Sequence, residues 1–261
     1  MADHQGARPA ARRAFYERYQ DTRGAVDTSL RSETGALQSF VARYRLGEKR
    51  VLEIGCGRGA FQELADGWVG IDLALGSGRF VRKPFVAASA EALPFRTGSF
   101  AGLWSITVLE HVPAPERALE EIGRVLGPGG VAYLAPAWHC RPWAAEGIHV
   151  RRWDELGWRQ RLSKLTLPLR DALWFRALAE VPRRLWQELD LFWADGPLRL
   201  RYARLRPNYD VFWGADSDAC CSLDPHAVLV WFVSRGFESP SHPGRWKRLT
   251  ARHGGIVVRK Q

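Results

Sequence analysis

Residues 51–60 read VLEIGCGRGA. An apolar run that stops in alternating glycines has the form of a buried strand entering a loop. The next stretch, RGAFQELAD at 58–66, has helical spacing, and a second apolar run, WVGIDL, occupies 68–73. Strand, glycine loop, helix and strand in that order make the opening unit of a parallel sheet. Gly55, Gly57 and Gly59 let backbone amides approach a ligand closely. Asp72, 17 residues after Gly55 at the end of the second run, is placed to accept both hydroxyls of a ribose.

The same alternation extends outward in both directions. Downstream come FVAA at 85–88, FAGLWSIT at 100–107, a helical stretch at 115–126, a GPGG turn and VAYLAPA at 131–137. The chain ends with DPHAVLVWFVSRGF at 224–237, a helix closing on Gly236, and GGIVVRK at 254–260, a last strand. Upstream, ARRAFYERYQDT at 11–22 and SETGALQSFVARYR at 32–45 have helical spacing, the second opened by a Ser32–Glu33 start that approximates a capping signal. The expected architecture is α/β: leading helices over 1–45, a Rossmann-like sheet over 46–137 and 222–261, and an insertion over 138–221 near its carboxyl edge.

The insertion is written differently. It holds eight of the 12 tryptophans and 13 arginines. One amphipathic pattern runs through Leu169, Leu173, Ala177 and Val181 and is expected to stop at Pro182; another runs through Leu185, Trp186, Leu189, Phe192 and Trp193. Such helices wall an acceptor pocket, lie on a membrane surface, or pack as a helical subdomain on the sheet. The first two are compatible if the acceptor is lipid-linked.

At 261 residues, with 46% apolar and 25% charged, the chain suits one globular domain carrying a large insertion, and the composition excludes collagen, a coiled coil and a wholly disordered chain. The longest apolar runs, such as AVLVWFV at 227–233, are far short of the roughly 20 residues of a membrane-spanning helix. The opening MADHQGARPAARR shows neither a secretory signal nor a lipidation motif, so a cytoplasmic protein is expected, with contact to the inner face of the membrane through 160–193 under the second reading of the insertion. Cys56, Cys140, Cys220 and Cys221 fit no zinc spacing and read as buried thiols, and no metal is expected. Net charge is +10, with residues 51–136 at −2 and a basic excess on either side. The excess is almost all arginine and reads as a background of composition, which gives a nucleic-acid or anionic-surface partner only a modest lift, so nucleic acid is not the expected partner.

Two cofactor classes use a glycine loop of this kind. Dinucleotide binders read G-x-G-x-x-G; here the loop is Gly55-Cys-Gly-Arg-Gly59 with Glu53 two residues before it. A sulfonium cofactor has no pyrophosphate to seat on a helix N-terminus, and an acidic neighbour suits its cationic amino-acid end. The loop therefore fits S-adenosylmethionine better than NAD.

At this point the chain resembles the class I S-adenosylmethionine-dependent methyltransferases of the type 11 kind. Five landmarks stand in order: LEIGCGRG at 52–59, GIDL at 70–73, AEALPF at 90–95, LEHV at 109–112 and LGPGG at 126–130. The resemblance implies a mostly parallel sheet with an antiparallel last strand. It also implies that Gly55, Gly57 and Gly59 shape the loop around the methionyl group, that Glu53 meets its amino end, and that Asp72 holds the ribose. Ser89, Ala90 and Glu91 would border the adenine, with Ser89 where relatives often place an Asp. Ser105, Ile106 and Thr107 would line the wall beside the reactive methyl. The stretch LALGSGRFVRKPFVAA at 73–88 lacks the amphipathic helix the family usually shows. The segments RPNYDVFW, DSDACCSLDPHAVLVWFVSRGFE and SHPGRWKRLTARHG look like a bacterial subgroup associated with surface polysaccharide and glycolipid pathways.

Methyl transfer asks for positioning more than for a strong catalyst, and a base helps only where an acceptor hydroxyl must lose a proton. His111 is the family position facing the acceptor, against an equal reading as a residue that orders its loop. His139 and His149 are candidate pocket liners, more simply surface or structural. Asp210, Asp216 and Asp218 could assist a histidine, although Asp-x-Asp in a turn usually serves the turn. RPNYD at 206–210 is misplaced for an adenine amino-methylation motif, and no cysteine ends a strand suitably to attack a pyrimidine. The expected function is O-methylation of a glycan, glycolipid or other small metabolite; the alternatives are an RNA or protein methyltransferase, or a non-catalytic scaffold with the same fold.

Overall fold

The computed structural model describes residues 10–18, 28–214 and 216–261. A helix over 10–18 (α1) and α2 (Thr28–Arg43) precede β1 (Arg50–Ile54), β2 (Gly67–Asp72), β3 (Phe85–Ala87) and β4 (Phe100–Ile106). Next come α3 (Pro115–Val125) and β5 (Leu126–Ala135). The segment after β5 holds α4 (Trp158–Asp171), α5 (Leu173–Trp193) and a ribbon of β6 (Ala203–Arg204) with β7 (Cys221–Ser222). Helices α6 (Pro225–Val233) and α7 (Gly244–Leu249) and strand β8 (Ile256–Arg259) complete the chain.

The main sheet has the order β3-β2-β1-β4-β5-β8. Its first five strands are parallel, and β8 runs antiparallel to β5, pairing Val131 with Arg259 and Leu134 with Ile256. Strand order reverses between β1 and β4, which opens a crevice at their carboxyl ends, where ligands of such sheets bind.

Side-chain alternation explains why the sheet is covered on both faces. Val51, Trp68 and Trp104 point to one face, against Leu37, Phe40 and Val41 of α2. Leu52, Ile71 and Leu103 point to the other, against Leu119 and Ile122 of α3 and Leu229 and Phe232 of α6. Burying each such side chain contributes about 1.5–3 kcal/mol. Helix α6 starts where its sequence requires: Asp224 accepts from the His226 amide at 2.9 Å and Pro225 fills the first helical position.

Four expectations need correction. The stretch 58–66 is not an α-helix but one 3-10 turn, Gln62–Leu64. Gly55, Gly57 and Gly59 all hold positive φ, which no helix allows, and the chain must be back on the sheet at Gly67. Helix α2 begins at Thr28, so Ser32 and Glu33 lie inside it rather than capping it, and the Glu33 carboxylate accepts from the Tyr133 hydroxyl at 2.6 Å. The GPGG stretch belongs to β5 as an irregularity: Leu126 pairs with Phe100 and Val131 with Gly102. Pro182 lies inside α5 rather than ending a helix, on the solvent side, where water can take the carbonyl it frees. The break falls at Ala172, which is extended (φ −61°, ψ 129°). Of the helix expected over 11–22, residues 19–22 lie outside the described residues.

The helical pair docks through polar groups. Arg184, 3% exposed, forks onto Asp224 with contacts of 2.9 and 3.2 Å and donates to the Leu249 carbonyl at 2.7 Å. The buried His226 ring sits between Gln187 and Glu188 of α5, and Arg248 of α7 closes on Glu188 at 2.6 Å. No described helix is long and apolar enough to cross a membrane.

Candidate active site

The loop after β1 is anchored from below. The amides of Gly55 and Cys56 donate to the Ile71 carbonyl at 2.8 and 2.9 Å, and Gly59 closes a turn onto Cys56. Gly55 (φ +74°) is pressed against the β4 side of the crevice; a Cβ there would stand 2.1 Å from Cγ2 of Val108. Only glycine fits there, and the loop backbone, bare of a side chain at this point, is left open to close approach. Asp72, ending β2, accepts from the Gly57 amide through Oδ2 and from the Ala74 amide through Oδ1, both at 2.9 Å. Those two bonds leave lone pairs for a diol.

Negative charge is crowded around this loop. Burial raises Asp72, the Ala74 and Gly57 amides pull it partly back, and the neighbouring Glu17 raises it again. Glu53, buried under the loop, accepts from the Trp68 indole at 2.8 Å. Its carboxyl is pushed up to about 8, first by burial and further by Asp72, with the indole opposing. A cation bound beside these carboxyls would favour their charged forms and offset part of the rise. Ser105 Oγ and Glu110 Oε2, at and just beyond the end of β4, are buried without a hydrogen-bond partner among the described residues.

Helix α1 crosses this end of the sheet. Glu17 accepts from the Leu75 and Gly76 amides at 2.6 and 3.0 Å, just past Asp72. Arg12 reaches Glu91 at 3.4 Å, and the Tyr16 hydroxyl donates to Asp218 at 2.8 Å. One turn and a half of helix therefore ties together the β2 loop, the β3 loop and the end of the insertion. Sequence alone gives α1 no part in the site; the spacing of Arg12, Tyr16 and Glu17 on one face is the signal it carries.

His111 lies in the turn after β4, with Nδ1 3.1 Å from Asp218 Oδ2 and Nε2 3.7 Å from Glu110 Oε1. Burial opposes the imidazolium, but Glu110 and Asp218 outweigh it together and lift His111 to about 9. Asp218 is held low, its burial more than offset by His111 and by the Tyr16 hydroxyl. So Asp218 is not a solvated turn residue: it is 4% exposed and aimed at the histidine. The approach of the insertion to the site comes through its returning segment, where Tyr209 donates or accepts at 3.3 Å with Cys220, and not through the apolar faces of α4 and α5.

The remaining expected residues take a range of positions. Ser89 Oγ accepts from the Glu91 amide and touches the Glu91 carboxylate, which also accepts from the Ala114 amide at the start of α3. Ala90 and Ile106 are buried in the two core clusters, so their side chains pack inward. Thr107 has φ +51°. His139 faces Glu180 of α5 at 3.7 Å, and His149 is exposed. Asn208 of RPNYD caps its own turn, accepting from the Asp210 and Val211 amides. All four cysteines are free and buried, and burial pushes each thiol up, which keeps it unreactive.

Residues 52–134 match the family model of the methyltransferase domain. An uncharacterized methyltransferase of Mycobacterium sp. (strain KMS) is 37% identical over 98 residues, 34% of this chain and 39% of that protein. A ubiquinone biosynthesis O-methyltransferase of Dechloromonas aromatica (strain RCB) is 34% identical over 107 residues, 34% of this chain and 45% of that protein. The crystal structure of the [4+2]-cyclase SpnF aligns with a TM-score of 0.39 at 24% identity, over 48% of this chain and 54% of that one. The chain thus spans less than half the length of the curated relatives it matches. The matched segment, 52–134, runs from β1 to β5 of a sheet whose order and antiparallel last strand are those of a Rossmann-like methyltransferase fold.

Proposed function

We propose that this protein transfers a methyl group from S-adenosylmethionine to a hydroxyl oxygen of a glycan, glycolipid or other small metabolite. The observation that carries the reading is the crowding of Glu53, Asp72 and Glu17 around a glycine loop whose bare backbone lets a ligand come close. S-adenosylmethionine is a cation with a ribose, and when bound it supplies an electrophilic methyl on a sulfonium. Asp72 would hold the ribose hydroxyls, the bare backbone of the loop at 55–59 would border the methionyl group, and Glu53 would give up its proton as the cation arrives.

His111 would act on the acceptor. Its Nδ1 lies 3.1 Å from Asp218 Oδ2 and its Nε2 3.7 Å from Glu110 Oε1, neither in a hydrogen bond among the described residues, so the ring is a base flanked by two carboxylates. Asp218 and Glu110 stabilise the imidazolium so formed. A basicity near 9 leaves only ~1% of His111 neutral at pH 7, so the rate should climb with pH until about 9. An O-methyltransferase among the relatives favours an oxygen acceptor.

The test is a label transfer. Methyl-tritiated S-adenosylmethionine is incubated with the protein and with the aqueous and organic extracts of a bacterial cell. Label in a small molecule that survives mild alkali is the expected ether product, and His111→Ala should lower its formation with cofactor affinity kept. Label in RNA or protein would move the acceptor, and no transfer to any fraction would favour a non-catalytic role.

A further inference from the structure

Helices α4 and α5 are amphipathic with their apolar faces turned outward. On α4, Trp158, Leu162, Leu165 and Leu169 recur at spacings of four, three and four and are 68, 56, 65 and 46% exposed. On α5, Leu178, Val181, Leu185, Leu189 and Phe192 form a second stripe, 45 to 76% exposed, flanked by Trp186 and Trp193. The opposite face of α5 is polar and is the one that docks, through Arg184, Gln187 and Glu188. Globular helices normally bury the apolar stripe and show water the polar one. Exposed apolar area of this extent marks a surface that something else covers.

Charge selects the occupant. Every carboxylate of the two helices is in an ion pair: Asp171 with Arg141, Glu180 with Arg176, Glu188 with Arg248 and Asp190 with Arg201. Arg159, Arg161 and Arg183 are exposed, and the chain as a whole carries +10. A second copy would bring these cationic flanks against one another in a self-complementary contact. An anionic surface would not. Tryptophan, leucine and phenylalanine on one face with arginine beside them is the composition of helices that lie in the plane of a bilayer interface.

From these stripes and their charge we infer that α4 and α5 dock this protein on an anionic lipid bilayer. The docking is peripheral, since neither helix can span. It stands apart from the proposed methyl transfer, because its test reads binding without turnover. If the acceptor is lipid-linked, the same surface would present it.

The experiment is co-sedimentation with vesicles of phosphatidylglycerol and phosphatidylcholine, and with phosphatidylcholine alone, at physiological salt. The wild type should pellet with the mixed vesicles and far less with the neutral ones. Leu185→Glu with Phe192→Glu, both at exposed positions, should keep the thermal unfolding midpoint and weaken binding more than about tenfold. Wild type remaining in the supernatant with mixed vesicles would overturn the inference, as would equal binding by the double variant or equal binding to neutral vesicles. A dimer in sedimentation velocity without lipid, broken by the same substitutions, would assign the stripes to a second copy instead.

Discussion

Replacing Asp218 with asparagine should lower the pKa of His111 clearly below its value of about 9. Burial alone disfavours the imidazolium; what reverses it is Glu110 at 3.7 Å and Asp218 at 3.1 Å, which together lift the ring from 6.5 to about 9. That rise corresponds to about 3 kcal/mol in favour of the cation. Asparagine keeps the volume and an oxygen for the Tyr16 hydroxyl, so the substitution removes charge and little else. With the nearer carboxylate neutral, Glu110 is left to oppose burial, and the pKa falls. A folded pKa above the unfolded one gives stability that is complete below about 6.5 and lost as pH rises through about 9. The wild type should therefore exceed Asp218→Asn by a share of that, roughly 1–2 kcal/mol near pH 6, and the difference should shrink toward zero above pH 9. Carbon-labelled histidine NMR reads the pKa directly, with His111 picked out of the seven histidines by its absence in His111→Gln; urea unfolding at the two pH values reads the stability. A His111 that still titrates near 9 in Asp218→Asn, or a stability difference that ignores pH, would refute the pairing.

Three other substitutions probe the scaffold. Gly55→Ala should cost about 2–4 kcal/mol, from a left-handed φ of +74° and a Cβ 2.1 Å from Val108, and Val108→Ala should recover only the steric part in thermal unfolding. Glu53 titrates near 8 when folded and near 4.5 when unfolded, so stability present below 4.5 is lost as pH rises through about 8. Glu53→Gln should abolish that loss, on the order of 4 kcal/mol between pH 5 and 9; parallel wild-type and variant urea curves at both pH values would contradict it. Arg184→Ala leaves Asp224 with Arg183 and strips the Leu249 carbonyl of its donor, and should cost about 2–5 kcal/mol in denaturant unfolding, whereas a loss under about 1 kcal/mol would mean the network does not fix α5.

The sheet was legible because its signals are local. The runs at 51–54, 68–72 and 100–106 are short, apolar and bounded by glycine or polar turns, and the loop glycines between the first two take positive φ. The missing helix after β1 was not legible, because AFQEL has helical spacing whether or not three left-handed glycines leave room for a turn. Asp218 was one of three candidate acids, and its pairing with His111 was hidden for another reason. It lies more than one hundred residues from His111, and only the return of the chain beside β7 brings the two together. The orientation of α5 was hidden because periodicity gives two faces and not which one docks; the buried Arg184–Asp224 pair decides it. Pro182 misled because a helix with its proline on the solvent side loses little.

The loop at 55–59 and Asp72 are proposed to bind S-adenosylmethionine and its demethylated product. Isothermal titration of the purified protein with S-adenosylmethionine and S-adenosylhomocysteine, with NAD as control, tests this without knowledge of the acceptor. Both sulfur nucleotides should bind and NAD should not. Asp72→Ala should weaken the binding by about 1–3 kcal/mol through loss of charge-assisted hydrogen bonds, with the fold intact by circular dichroism. Binding of NAD in preference to the sulfur nucleotides, binding of none of the three, or an affinity unchanged in Asp72→Ala would contradict the account.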